Sequence, residues 1–130
     1  INLTGALPNI AVNLTINGPG ANLLTVRRDT GGDYGIFVSN GVGKDVAIHG
    51  LTISNGKATI GGAIFFLGTA ASGSLTLTDC VISGNEAGSG GGVFVDGKAT
   101  ISGCTISGNT ASGQGGGINY QGFFSPSRTM

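Results

Sequence analysis

Leu75-Thr76-Leu77-Thr78-Asp79-Cys80-Val81-Ile82-Ser83-Gly84-Asn85 returns 24 residues later as Ala99-Thr100-Ile101-Ser102-Gly103-Cys104-Thr105-Ile106-Ser107-Gly108-Asn109. An earlier copy, Val46-Ala47-Ile48-His49-Gly50-Leu51-Thr52-Ile53-Ser54-Asn55, stands 29 residues before the first of these. Each copy is followed by a glycine cluster that ends on a small or apolar pair: Gly61-Gly62-Ala63-Ile64, Gly90-Gly91-Gly92-Val93 and Gly115-Gly116-Gly117-Ile118. A recurring unit of this length is the mark of a repeat architecture in which neighbouring units bury one continuous core.

Within a copy the apolar residues alternate (Leu75, Leu77), break at a polar step (Thr78-Asp79), and resume at Cys80 and Ile82. Period-two alternation reads as strand, so two short strands meet at a corner. Gly, Thr, Val and Ser are poor helix formers, and no apolar stripe at helical spacing persists. The pattern predicts an all-β, right-handed parallel β-helix whose hand follows the crossover rule. Stacked coils place Ile48, Leu77 and Ile101 in one inward column, Ile53, Ile82 and Ile106 in a second, and Ile64, Val93 and Ile118 in a third. Upstream, Leu14-Thr15-Ile16, Leu24-Thr25-Val26 and Ile36-Phe37-Val38 keep the alternation between Gly-rich turns, giving about five coils without evident caps.

The 130 residues hold 27 glycines but six basic and six acidic side chains, which cancel. This leaves no basic stripe for nucleic acid, and no apolar run approaches the ~20 residues of a membrane-spanning helix. One domain, 1–130, is expected, with no membrane insertion by this segment. The absence of an initiator Met and the abrupt ends lead us to expect an excerpt of a longer solenoid or one unit of a stacked assembly.

Ile106-Ser107-Gly108-Asn109-Thr110-Ala111 followed by Gly115-Gly116-Gly117-Ile118 resembles the repeat of bacterial polymorphic outer-membrane proteins, an autotransporter passenger repeat. The stretch Asn13 to Val26 is similar to the opening coil of secreted bacterial right-handed β-helix proteins. The resemblance implies a β-solenoid at the bacterial cell surface or outside the cell, with a structural or adhesive role.

Catalysis on a β-helix calls for paired carboxylates or a basic cluster on one outward face. Here the column of Asp79 carries Gly50 and Gly103, while Asp29, Asp33, Asp45, Glu86 and Asp96 are scattered through turns. The expectation is no enzyme, no metal and no cofactor. His49, the one histidine, shares an outward column with Thr78 and Ser102 and reads as a solvated strand residue. Cys80 and Cys104 share an inward column with Leu51. A stacked pair of apolar thiols fits the interstrand spacing better than a disulfide, and two cysteines without a histidine make a poor zinc site. Asn85 and Asn109 align at a corner, where Asn tolerates left-handed backbone and amides can hydrogen-bond from coil to coil.

Rows of outward Thr and Ser (Thr52/Ser54, Thr76/Thr78, Thr100/Ser102, Thr105/Ser107) invite comparison with an ice-binding face, although Val81, Ala47 and His49 interrupt them. The favoured reading is an extracellular structural or adhesive segment: a surface passenger, stalk or filament component. The alternative is a carbohydrate-active β-helix, a lyase or hydrolase, whose catalytic coils lie elsewhere. Its expected partners are further coils of the same chain or head-to-tail copies, with a surface or glycan as a further candidate. Tyr120, Phe123 and Phe124 are the residues proposed for an end-to-end contact.

Overall fold

The computed structural model describes residues 1–40, 43–68 and 72–121, and among these it contains strands and turns but no helix. After β1 (Asn2–Leu3), the first coil runs through β2 (Leu14–Asn17), β3 (Thr25–Arg28) and β4 (Phe37–Ser39). The second holds β5 (Asp45–His49), β6 (Thr52–Ser54), β7 (Lys57–Ile60) and β8 (Ile64–Leu67). The third holds β9 (Ser74–Thr78), β10 (Val81–Ser83), β11 (Glu86–Ser89) and β12 (Val93–Asp96). The last comprises β13 (Lys98–Ser102), β14 (Thr105–Ser107), β15 (Thr110–Ala111) and β16 (Ile118–Tyr120).

Every described strand pairing is parallel, and equivalent strands of successive coils form four sheets: β1-β3-β6-β10-β14, β2-β5-β9-β13, β4-β8-β12-β16 and β7-β11-β15. The chain is thus a parallel β-solenoid of about four turns. Ile16, Ile48, Leu77 and Ile101 stand in one column. Val26, Ile53, Ile82 and Ile106 form the next, and Phe37, Ile64, Val93 and Ile118 another. Ile48, Ile53, Leu77, Ile82 and Val93 are fully buried. Burying a side chain of this size stabilises by about 2 kcal/mol, but only when a coil lies on each side. In the last described coil Ile101, Cys104 and Ile106 are only half-buried.

One left-handed residue makes each sharp corner. Between the first and second strands of each four-stranded coil it is Gly50 (φ 63°), Asp79 (φ 54°) and Gly103 (φ 63°); between the second and third it is Asn55 (φ 60°), Gly84 (φ 67°) and Gly108 (φ 65°). A single residue in this conformation turns the chain while leaving the residue before it outward and the residue after it inward. The left-handed backbone expected at Asn85 and Asn109 therefore falls one residue earlier, on Gly84 and Gly108. A third corner sits at Gly61, Gly90 and Gly115 (φ 64° to 71°), where the chain must also pass close to its neighbours. A Cβ on Gly91 would meet the carbonyl oxygens of Thr110 and Gly116, and one on Gly62 those of Gly91 and Glu86. The glycine clusters thus serve close backbone packing.

The N-terminal rim differs from the expected bare end. No helix covers it; instead residues 1–10 lie against the first coil. β1 pairs with β3, Leu3 and Ile10 join the core, and Ile10 N–H donates to Val38 O at 2.8 Å. Ser39 Oγ returns a bond to Ile10 O, and the buried Tyr34 hydroxyl lies 2.8 Å from Leu3 O and 2.7 Å from Thr30 O. The cover is incomplete: Ile1, Leu3 and Leu7 face Ile16, Leu24, Val26 and others across an apolar cavity of about 300 Å³.

Candidate functional site

The inward side of the second corner is polar by construction. Asn85 is 1% exposed, and its Nδ2 lies 3.1 Å from both Ile53 O and Ser83 O. Its Oδ1 accepts the main-chain N–H of Gly56 at 2.8 Å. One coil later the geometry repeats: Asn109 Nδ2 donates to Ile82 O at 2.9 Å, and Asn109 Oδ1 accepts from Asn85 N–H at 3.0 Å. Each carboxamide therefore reaches back to the preceding coil and satisfies one donor and one acceptor that the tight corner would otherwise strand. No buried side-chain polar atom among the described residues lacks a partner.

Cys80 and Cys104 stand at the inward side of the first corner, and both are free thiols. Cys80 is buried, and burial pushes its thiol above the ordinary range, with the neighbouring Cys104 adding to the rise. Cys104 Sγ accepts the main-chain N–H of Cys80 at 3.4 Å.

The charged residues are dispersed. Asp29 pairs with Arg27 at 3.1 Å, Asp33 with Arg28 at 3.7 Å, and Glu86 with Lys57 at 3.2 Å. Asp45 accepts from Ser74 Oγ at 3.1 Å, and Asp79 projects over the corner at Gly103. The exposed Arg27–Asp29 and Lys57–Glu86 pairs contribute little to stability. Among the described residues no three His, Cys, Asp or Glu side chains are grouped to hold a metal ion. His49 pairs in register with Asn17 and Thr78, and Thr78 with Ser102, an outward row without a carboxylate.

Sequence reasoning missed a concave surface. Because the third corner turns back at Gly61 and Gly90, the outward face of β8 and β12 lies beside β7 and β11. Val38, Asn40, Thr59, Ile60 and Phe65 line a groove of about 280 Å³ there. Phe65 and Phe94, neighbours in one column, stack with ring centroids 5.5 Å apart and an interplanar angle of 20°. Further along the same column, Asn119 Nδ2 donates to Ser89 Oγ at 2.7 Å and ties the two walls together. The signal was present in the outward apolar residues Val38, Phe65 and Phe94, but the direction of the turn was not. Of the residues proposed for an end contact, Tyr120 lies in β16, in register with Val95; Phe123 and Phe124 lie outside the described residues. Phe37, which opens a Phe-x-x-Asn sequence, pairs with Ile64 and not with the Ile53/Ile82 column, so Asn40 is not a member of the corner ladder.

Comparison with known families places a match on the last coil. Residues 103–121 match the model of the Chlamydia polymorphic membrane protein (Chlamydia_PMP) repeat. The matched span holds the corner glycines Gly103 and Gly108, the ladder residues Cys104, Ile106 and Asn109, and the Gly115 to Ile118 cluster. No curated protein and no solved structure gives a significant match. The chain is a parallel β-solenoid whose last described coil is similar to a repeat of bacterial outer-membrane proteins.

Proposed function

We propose that this chain is a non-catalytic structural or adhesive segment of a bacterial surface protein, exposed outside the cell. The observation that carries the reading is the match of residues 103–121 to an outer-membrane protein repeat, on a coil built like the two before it. The side chains support it in their distribution. Inward positions are spent on core and on the Asn clamp, and the carboxylates are dispersed, Asp45, Glu86 and Asp96 in separate strands and Asp79 at a corner. Four of the large exposed apolar residues, Ile1, Leu7, Val12 and Leu23, belong to the first 23 residues, and Ile118 belongs to the last described coil. Apolar surface near the first coil and on the last described coil, alongside Ile60 in β7, suits a segment that stacks on further coils or on other copies. The groove lined by Val38, Asn40, Thr59, Ile60 and Phe65 is the surface we assign to contact with a partner.

The test is surface accessibility. Antibodies raised against the purified chain should label intact cells that produce it, and externally added protease should remove the signal. Labelling that appears only after the cells are permeabilised contradicts the reading.

A further inference from the structure

We propose that Cys80 and Cys104 form a two-coordinate site for a soft, thiophilic metal ion, entered from the last described coil. The two sulfurs share a contact pattern, with Ile48 O, 3.5 Å from Cys80 Sγ, as an additional neighbour of Cys80. Cys80 Sγ lies 3.5 Å from Thr78 O and Cys104 Sγ lies 3.5 Å from Ser102 O, in each case the carbonyl two residues earlier. Each also faces the main-chain N–H one coil back: Cys104 that of Cys80 at 3.4 Å, and Cys80 that of Leu51. Cys80 and Cys104 stand at the same corner of successive coils, between strands whose registers match Thr78 with Ser102 and Val81 with Thr105, so side chains stacked there repeat at about the strand spacing, ~4.8 Å. That separation is too long for a disulfide, which wants its Cβ atoms ~3.8 Å apart. It suits two metal–sulfur bonds of ~2.3 Å each laid end to end through one ion.

The surroundings select the ion. Thiolates prefer soft cations, and two ligands in an apolar core leave zinc, which wants four, unsatisfied. Binding breaks two S–H bonds, forms two metal–sulfur bonds and releases two protons to solvent, with no change of oxidation state. A divalent ion such as Hg²⁺ then leaves a neutral pair. A monovalent ion such as Ag⁺ leaves one negative charge, which the Cys80 and Leu51 N–H groups face. Cys80 is buried, but Cys104 is only half-buried in the outermost described coil, so the ion has a way in.

The test is titration of the full, reduced chain with HgCl₂ under nitrogen, with metal per chain counted by native mass spectrometry and remaining thiols counted chemically. The expected result is one Hg²⁺ per chain, both thiols consumed at one equivalent, and no uptake of Zn²⁺. The bound ion should resist ~100-fold more competing glutathione than it does in Cys104→Ala, because the second sulfur acts at high effective concentration. Uptake of two ions per chain, or equal loss to glutathione in both proteins, overturns the proposal. Rapid closure of a Cys80–Cys104 disulfide by mild oxidant also overturns it, since the sulfurs would then not be held at the strand spacing. The stoichiometry of the unmutated chain decides the matter even if the variant misfolds.

Discussion

Asn85 and Asn109 are joined twice: Asn109 Oδ1 accepts from the main-chain N–H of Asn85 at 3.0 Å and from its Nδ2 at 2.9 Å. The same Asn85 clamps the coil before it through Gly56 and Ile53. Side-chain amides thus do at the corner what the backbone ladder does along the strands. Replacing Asn85 by Ala leaves the Gly56 N–H without its acceptor in the interior, and the cost of such a loss is about 1–3 kcal/mol. Urea unfolding of Asn85→Ala should lie near the top of that range, and that of Asn109→Ala below it, because Asn109 is less buried. Equal stability of Asn85→Ala and the parent would show that the clamp contributes nothing.

Ile82 lies between Ile53 and Ile106 with no exposed surface. An Asp there is a carboxylate between apolar layers without a partner. Ile82→Asp should fail to fold cooperatively by circular dichroism, whereas Ile106→Asp, half-buried in the last described coil, should lose only part of the transition. A parent-like melt of Ile82→Asp would falsify the register.

Two glycines separate steric from conformational need. A Cβ on Gly84 meets nothing within 4 Å, yet its φ is 67°; a Cβ on Gly91 runs into main-chain carbonyls, one of them at 2.6 Å. Gly84→Ala should cost about 1 kcal/mol, the penalty of a left-handed residue, and Gly91→Ala about 3 kcal/mol or more from overpacking. A larger loss for Gly84→Ala than for Gly91→Ala in denaturant titration would contradict this account of the clusters.

Much of this was legible in the sequence because a repeat of constant internal order aligns its own columns: once Ile82 and Ile106 are set side by side, Leu77 and Ile101 follow. Two features were not. Residues 1–13 open on the alternation Ile1-Asn2-Leu3-Thr4 but hold no copy of the repeat, so nothing announced that Leu3 and Ile10 lie against the first coil. The left-handed residues at Gly61 and Gly90 could be guessed as turns, but the side toward which they fold the chain depends on packing, and so the groove beside Phe65 went unseen. At the Asn corner the alignment was visible, while the inward aim of the amides depends on Gly84 and Gly108 taking the left-handed turn.

Burial sets the two thiols apart. Iodoacetamide should modify Cys104 in the folded chain and reach Cys80 only on unfolding, as read by peptide mass mapping. Because burial raises the Cys80 thiol above its ordinary value of 9.0, the unfolded chain gives up this proton first as pH rises. The contribution to stability is therefore complete below the ordinary thiol range and declines as pH rises through it toward the raised value. Modification of Cys80 at the rate of Cys104 in the native protein would contradict its burial.

The dispersed carboxylates bear on catalysis. Purified chain incubated with polyuronides or neutral glycans, with and without calcium, should release neither new reducing ends nor unsaturated products. Appearance of either, proportional to protein concentration, would overturn the non-catalytic reading.

The central proposal, that this solenoid stacks on further coils or on other copies, is tested most directly by sedimentation velocity of the isolated 130-residue chain at micromolar concentration. Exposed apolar side chains at Leu7 and Leu23 near the first coil and at Ile118 in the last described coil lead the proposal to predict polydisperse, concentration-dependent assemblies or fibres, since head-to-tail contacts that do not close into a ring propagate. A single sharp monomer boundary that does not move with concentration would contradict it.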